Sequence, residues 1–325
     1  MWAYLTRRLA QAIAVVFVMA VIVFFGVNVI GNPVDILINP EFTEAEYQQA
    51  IRALGLHLPL HEQFFVFLSN ALEGDLGISF VWGEPALKLI AQRLPATLEL
   101  AGAAMFLSIV LGVPLGMYAG TKPHSWVSKS IVSGSILGFS LPTFWVGIMM
   151  IMVFAVMLGI LPSTGRGDTV EVFGIEWSFL TWNGLTHLAM PAVNLALTNI
   201  ALVIRLSRAG TREVMLQDYI KFARAKGLSQ RRITLVHVLK NTLIPVVTVL
   251  GLELGSLIAF SVVTETVFAW PGMGKLIIES IQVLDRPIVV AYLMLTVLLF
   301  VTINFLVDIV YSLLDPRVRV SGAGK

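Results

Sequence analysis

Asp218-Tyr219-Ile220-Lys221-Phe222-Ala223-Arg224-Ala225-Lys226-Gly227-Leu228-Ser229-Gln230-Arg231-Arg232 is the centre of a basic segment, residues 210–240, that lies between two long apolar runs. The segment carries seven Lys and Arg against two acids, Glu213 and Asp218. Short membrane-protein loops with that bias stay in the cytoplasm. The pattern predicts helix, sharp stop, helix. Gly227 can take the left-handed conformation past a helix C-terminus, and Ser229 can cap the next helix, which leads through Asn241 into Pro245 and the membrane. On the first helix, Val214, Tyr219, Ile220, Phe222 and Ala223 supply an apolar surface flanked by basic side chains. Such a surface suits docking into a groove on a soluble partner, and equally suits lying on anionic lipid.

Composition bounds the answer independently. At 57% hydrophobic and 13% charged residues, with a mean hydropathy of +0.85, a chain of 325 residues is far more apolar than a soluble domain needs and reads as a polytopic membrane protein. The absence of cysteine excludes disulfides, zinc-thiolate sites and thiol chemistry.

Working outward from the elbow, residues 187–206 form the preceding span and residues 242–263 the following one. Further upstream, residues 9–30 are long enough to cross a bilayer at about 1.5 Å per residue. With no small-x-small cleavage site after it, this run is expected to remain as a helix whose N-terminus is cytoplasmic. Residues 31–94 are a polar interruption with helices of its own: Thr43-Glu44-Ala45-Glu46 is a capping box, Gly55 a stop, and Pro59 the start of another helix. Acidic residues outnumber basic ones there, as a solvated face explains.

Pro95 is expected to open the second span, residues 96–120. A third apolar stretch, 130–161, contains Pro142, which should kink or break it. Residues 162–186 lie outside, and residues 288–314 make the sixth span. This topology puts 16 of the 22 Lys and Arg in the cytoplasm, Arg205 among them. The expected parts are an N-terminal helix (1–30), an extracytoplasmic helical region (31–94), a transmembrane domain (95–314) that includes the elbow, and a cytoplasmic tail (315–325).

The chemistry-bearing residues are few. No phosphate loop, metal-ligand cluster or nucleophile–base pair is evident, so the chain is expected not to be an enzyme and to hold no cofactor or metal; nothing points to nucleic acid. Glu253 falls mid-span, where a charge costs about 2.5–3.5 kcal/mol on insertion scales, so it should face protein or water rather than lipid. Asn194 and Asn199 place amides in an apolar setting, and Asn304 and Asp308 share one face of the last span. Such groups can replace the hydration of a polar solute in passage, and they can equally bind helices together. On these residues alone, Glu253 and Asn304 with Asn194 are candidates for a translocation path.

The string Ala223-Arg224-Ala225-Lys226-Gly227-Leu228 with its basic turn, His237, Asn241 and Pro245 resembles the ATPase-coupling loop of ABC-importer permeases in the dipeptide, oligopeptide and nickel branch. The general pattern of that family is Glu-Ala-Ala, three residues, Gly, nine residues, Ile-x-Leu-Pro. Here Lys221-Phe222-Ala223 stands in the first place, Gly227 keeps the glycine, and His237-Val238-Leu239-Lys240 replaces the last motif with its proline displaced to Pro245. Glu265 and Trp270-Pro271-Gly272, in Thr264-Glu265-Thr266-Val267-Phe268-Ala269-Trp270-Pro271-Gly272-Met273-Gly274, resemble the family's outer-loop signature. Asn32-Pro33, Gly55-Leu56, residues 74–79 and the ending Asp315-Pro316-Arg317 resemble its other landmarks.

The resemblance implies the type I importer fold, all-α, with six transmembrane helices and a cytoplasmic coupling helix formed by Tyr219, Phe222, Ala223 and Gly227. It implies a multi-pass protein of the bacterial inner membrane with both termini cytoplasmic, in contact with membrane lipid and paired with a homologous second permease. Two ATPase subunits would carry the ATP and Mg, and an extracytoplasmic binding protein would deliver peptide. Nickel or another small solute is the alternative within the branch. An ion-coupled secondary transporter is the alternative outside it, but the basic elbow and the lack of an evident inverted repeat weigh against that reading.

Overall fold

Pro142 decides the most abrupt feature of the backbone. The computed structural model describes residues 2–29, 43–53 and 57–314, and in it the third apolar stretch is two helices, Trp126–Ser140 and Thr143–Met157, bent by 104° at their junction. A proline disfavours helical geometry in the residue before it, and Leu141 accordingly sits extended at φ −86°, ψ 137°. The expected break is therefore a complete one.

The described chain begins with α1 (Trp2–Val29), followed by the short helices α2 (Glu44–Ala53) and α3 (Leu60–Leu72), the latter opened by Pro59. α4 (Ala86–Thr121) contains Pro95 and Pro114. Here the sequence expectation is corrected: Pro95 does not open the span but lies inside a helix that starts at Ala86. Two missing N–H groups among 36 residues, at Pro95 and Pro114, are tolerated in a long membrane helix, where neighbouring groups can re-satisfy the freed carbonyls. α5 (Trp126–Ser140) is capped by the Ser125 hydroxyl, which accepts from the Ser128 N–H at 3.1 Å, and α6 (Thr143–Met150) runs on as a π-helical turn, Ile151–Met157.

A two-stranded hairpin follows, β1 (Val170–Val172) with β2 (Ile175–Trp177), in the register Val170 opposite Trp177. Its turn is Phe173-Gly174, both at positive φ (55° and 76°), the mirror-image turn that matches strand twist. The sequence expectation held no strand here. Next come α7 (Trp182–Met215), the elbow helix α8 (Asp218–Ala225), the single turn α9 (Gln230–Arg232), a π-helical turn Ile233–Val238, and α10 (Leu239–Val267). α11 (Met273–Gln282) and α12 (Arg286–Leu314) complete the described chain. Among the described residues, five helices are long and apolar enough to cross a membrane, and six spans result when the bent pair counts as one.

Contacts divide the chain into two compact units, residues 1–94 with 272–325, and residues 95–271. In the first, α1 packs on α12 and α3, with the Phe24 ring 5.3 Å from Phe64 and 5.6 Å from Phe67. Buried Asp285 ties the loop before α4 in place by accepting from the Ser79 hydroxyl at 2.5 Å and the Phe80 N–H at 3.2 Å.

In the second unit, α4 meets α7 along Gly112, Gly116 and Gly120. A Cβ on these residues would come within 2.7 Å of Val203 Cβ, 2.6 Å of the Ile204 carbonyl oxygen and 2.7 Å of Thr211 Cβ, respectively. Spacing of four residues puts the three glycines on one face, and lacking side chains they let the two backbones touch. Lipid is as apolar as leucine, so this close packing supplies the attraction that the hydrophobic effect does not.

Candidate functional site

The elbow helix has a buried root. α8 ends in a Schellman turn: Leu228 N–H donates to the Ala223 carbonyl at 3.2 Å and Gly227 N–H to that of Arg224 at 2.9 Å, with Gly227 at φ 76°. Ser229 then caps the next helix, its hydroxyl accepting from the Arg232 N–H. The expected helix, stop, helix is present.

The expected apolar docking surface is divided, however. Ile220 is fully buried and Ala223 nearly so, packed with Val203 of α7, Ile233 and Val238 of the π-helical turn, and Val246 and Leu250 of α10. Only Tyr219 and Phe222 of the expected five stay exposed, at 44% and 62%, with Leu216 beside them. The reason is periodicity: Ile220 and Ala223 are three apart and share the inward face, while Tyr219 and Phe222 share the outward one. Lys226 sits 4.6 Å over the Phe222 ring, and the Tyr219 hydroxyl accepts from the Asn241 amide at 3.1 Å. At the start of α8, the Lys221 ammonium donates to Asp218 at 2.8 Å. That hydrogen bond, and then its charge, hold the Asp218 carboxyl below the usual carboxylate range.

Between α7, α10 and α5 lies a cavity of about 600 Å³, whose polar lining includes Asn199, Arg205, Glu253, Ser256 and Thr264. Glu253 thus faces open space within its unit, and among the described residues no hydrogen bond or ion pair engages its carboxylate. The Arg205 guanidinium lies 5.0 Å over the Phe139 ring. At one end of the cavity, buried Asn194 donates from its amide to the Thr264 hydroxyl at 3.1 Å, while its own carbonyl oxygen has no partner.

At the end of the unit remote from the elbow, three buried polar ties lock the helices. Glu265, fully buried, accepts from the Thr97 hydroxyl at 2.7 Å and the Ser261 hydroxyl at 2.9 Å. Trp270 is buried, and its indole N–H donates to the Ala96 carbonyl at 2.8 Å. Glu99 accepts from Arg166 at 2.6 and 2.9 Å, from the Ser178 N–H and hydroxyl at 2.8 Å each, and from the Phe179 N–H at 2.7 Å. This carboxylate therefore fastens the whole loop that carries the β-hairpin to α4.

Of the residues singled out in the sequence, Glu253 lines the cavity and Asn194 sits at its end. Asn304 belongs to the other unit, where its side-chain oxygen is buried without a hydrogen bond. Pro271 follows the buried Trp270, and Gly272 is the N-cap of α11. The Asp308 side chain, Asn32-Pro33, Gly55-Leu56 and Asp315-Pro316-Arg317 lie outside the described residues.

Sequence reasoning missed Glu99, although a lone acid in an otherwise apolar second span was a visible signal. It also missed the cavity position of Arg205, because the fourth span was expected to end at residue 206, whereas α7 continues to Met215. The Gly112, Gly116, Gly120 stripe was legible as small residues at every fourth position.

The family described as "Binding-protein-dependent transport system inner membrane component" matches residues 112–320, and the family of its N-terminal part matches residues 1–101. The chain is 36% identical to the "Di/tripeptide transport system permease protein DppB" of Pseudomonas aeruginosa, over 98% of this chain and 99% of that one. It is 35% identical to the "Oligopeptide transport system permease protein AppB" of Bacillus subtilis, over 98% and 100%, and 34% identical to the "Glutathione transport system permease protein GsiC" of Escherichia coli, over 97% and 98%. Among solved structures it is similar in fold to a chain of an inward-facing MetNI methionine ABC transporter, with a TM-score of 0.53 and 18% identity, covering 70% of this chain and 96% of that one.

Proposed function

Because the chain belongs to the family of binding-protein-dependent transport-system inner-membrane components, with the transmembrane fold of an ABC-importer permease, we propose that it imports short peptides. It pairs with a homologous second permease and sits on two ATPase subunits, which hold the ATP and Mg, while this chain holds no cofactor. An extracytoplasmic binding protein delivers the peptide. Relatives named for dipeptides, oligopeptides and glutathione, matched over nearly their full length, support the peptide class. The charge bias of residues 210–240 supports a cytoplasmic elbow, cytoplasmic termini and a place in the bacterial inner membrane.

The observation that carries the mechanism is the two-sided elbow helix. Tyr219 and Phe222 face outward to meet the ATPases, while Ile220 and Ala223 are rooted among side chains of α7 and α10. Closure of the ATPases on ATP pushes the outward face, and the packed root transmits the push to the helices that wall the cavity. A close-packed root moves them as a body rather than absorbing the displacement. Gly227 sets the angle of the lever. The cavity beside Glu253 is then exposed to one side of the membrane and the other in turn, with Asn194 at its end. The ties at Glu265 and Trp270 hold the outer ends of the helices together.

The test is purification of the tagged chain from its own membranes in mild detergent. Recovery of a second permease and two ATPases, with vanadate-sensitive ATP hydrolysis and ATP-driven uptake of a short peptide into proteoliposomes, is the expected result. Recovery of the chain alone, with uptake that collapses with the proton gradient and ignores ATP, overturns the reading.

A further inference from the structure

The cavity contains two opposite charges that do not neutralise each other. Arg205 and Glu253 both line it, yet no ion pair joins them; the guanidinium is laid over Phe139 and the carboxylate is unengaged among the described residues. Their placement follows from helix geometry. Asn194 meets Thr264 at one end of the cavity and Gly210 faces Thr242 towards the elbow, so α7 and α10 run antiparallel. Arg205 lies eleven residues from Asn194, and Glu253 eleven residues from Thr264, each towards the elbow. Eleven residues is three turns plus about 20°, a descent of about 16 Å. Each charge therefore projects from the same face of its helix as the tie and at a similar depth, one from α7 and one from α10.

Arg205 is exposed to the cavity and Glu253 is half-buried, so each keeps a face open to a solute, and a solute that bridges them gains a charge contact at each end. A bridge must carry an anion at one end and a cation at the other. Two or three residues of extended peptide span about 7–11 Å and carry a carboxylate and an ammonium at their ends. Asn199 and Ser256 on the same lining supply hydrogen-bonding groups for the backbone between.

We infer that Arg205 and Glu253 are the specificity-determining pair of the cavity, Arg205 receiving the carboxylate of a short zwitterionic solute and Glu253 its ammonium. The inference rests on the peptide-import reading and adds to it a requirement for a free carboxylate and a free ammonium at the two ends of the peptide. Capping either end leaves one wall charge without a partner, which repels the capped solute from the cavity whatever the binding protein accepts.

The experiment uses the complete transporter in proteoliposomes with its binding protein saturated by each solute in turn: trialanine, N-acetyl-trialanine and trialanine amide. The readout is solute delivered per ATP hydrolysed. The wild type is expected to favour trialanine over either capped form by about tenfold, the worth of one hydrogen-bonded charge contact. E253Q should erase the preference over the N-acetyl form while keeping that over the amide, and R205Q should do the reverse. The exchange R205E/E253R, which keeps both charges and so also serves if a neutral variant fails to assemble, should restore discrimination against both capped forms. If the wild type delivers trialanine but each variant keeps the wild-type preferences, the pairing is wrong and the peptide reading stands. If the wild type delivers no peptide, that reading falls and the pairing with it.

Discussion

Gly116→Ala and Gly102→Ala place the same methyl group on the same helix, α4, with opposite surroundings. At Gly116 the added carbon would lie 2.6 Å from the Ile204 carbonyl oxygen, 2.6 Å from Ser207 Cβ and 3.1 Å from Ile204 Cα. Two of those atoms are backbone of α7 and cannot rotate away, so the helices must part by the better part of an ångström. Overpacking of this kind costs about 1–3 kcal/mol. At Gly102 nothing lies within 4 Å, so the methyl meets open space. Replacing Gly by Ala inside a helix is itself worth about 1 kcal/mol at both sites, and this cancels in the comparison. The difference between the variants therefore isolates the contact: Gly102→Ala is expected at or above wild-type stability, and Gly116→Ala about 1–3 kcal/mol below Gly102→Ala. At about 2–4 °C per kcal/mol for a unit of this size, thermal unfolding of the purified protein in detergent, followed by tryptophan fluorescence, resolves it. Equal melting temperatures for the two variants would refute the claim that α4 and α7 touch backbone to backbone through the glycine stripe.

Gly227→Val meets no atom within 4 Å but forces a β-branched residue to φ 76°, a strain of about 1–3 kcal/mol; the transporter should assemble yet lose ATP-driven uptake, and normal uptake would remove the lever argument. Phe222→Asp alters an exposed side chain and should leave melting unchanged while weakening co-purification of the ATPases, whereas Ile220→Asp puts a charge in the core and should destabilise the chain itself; equal effects on folding would deny the division of the elbow into two faces. Glu99→Gln removes the countercharge of Arg166, leaving a guanidinium with an 11% exposed side chain unpaired, at a cost of about 3–5 kcal/mol. Limited proteolysis within residues 158–181 should accelerate, and an unchanged cleavage rate would show that Glu99 does not fasten that loop.

Much of the molecule was legible before any coordinates. The break at Pro142, the turn at Gly227, the cap at Ser229 and the spans themselves depend on residues within a few positions of one another. The start of α4 was misjudged because proline is a strong breaker in water, while in a long membrane helix the surroundings override it. The hairpin at residues 170–177 escaped notice because Phe173-Gly174 is a weaker turn signal than Asn-Gly or Asp-Gly.

The amino-acid order alone says where the chain crosses the membrane, which segment is basic and which strings mark the family. Transfer of an apolar run into a bilayer depends on that run alone, and the bilayer sorts basic loops one at a time. It takes the packing of distant helices to turn Ile220 and Ala223 inward, to let Glu99 fasten a loop about 80 residues away in sequence, and to bring Arg205 and Glu253 to one cavity. In a membrane helix the face towards lipid and the face towards protein are both apolar, so hydropathy does not say which face packs on what. That choice is made by contacts between distant helices, through glycines that admit a backbone and polar groups that find each other.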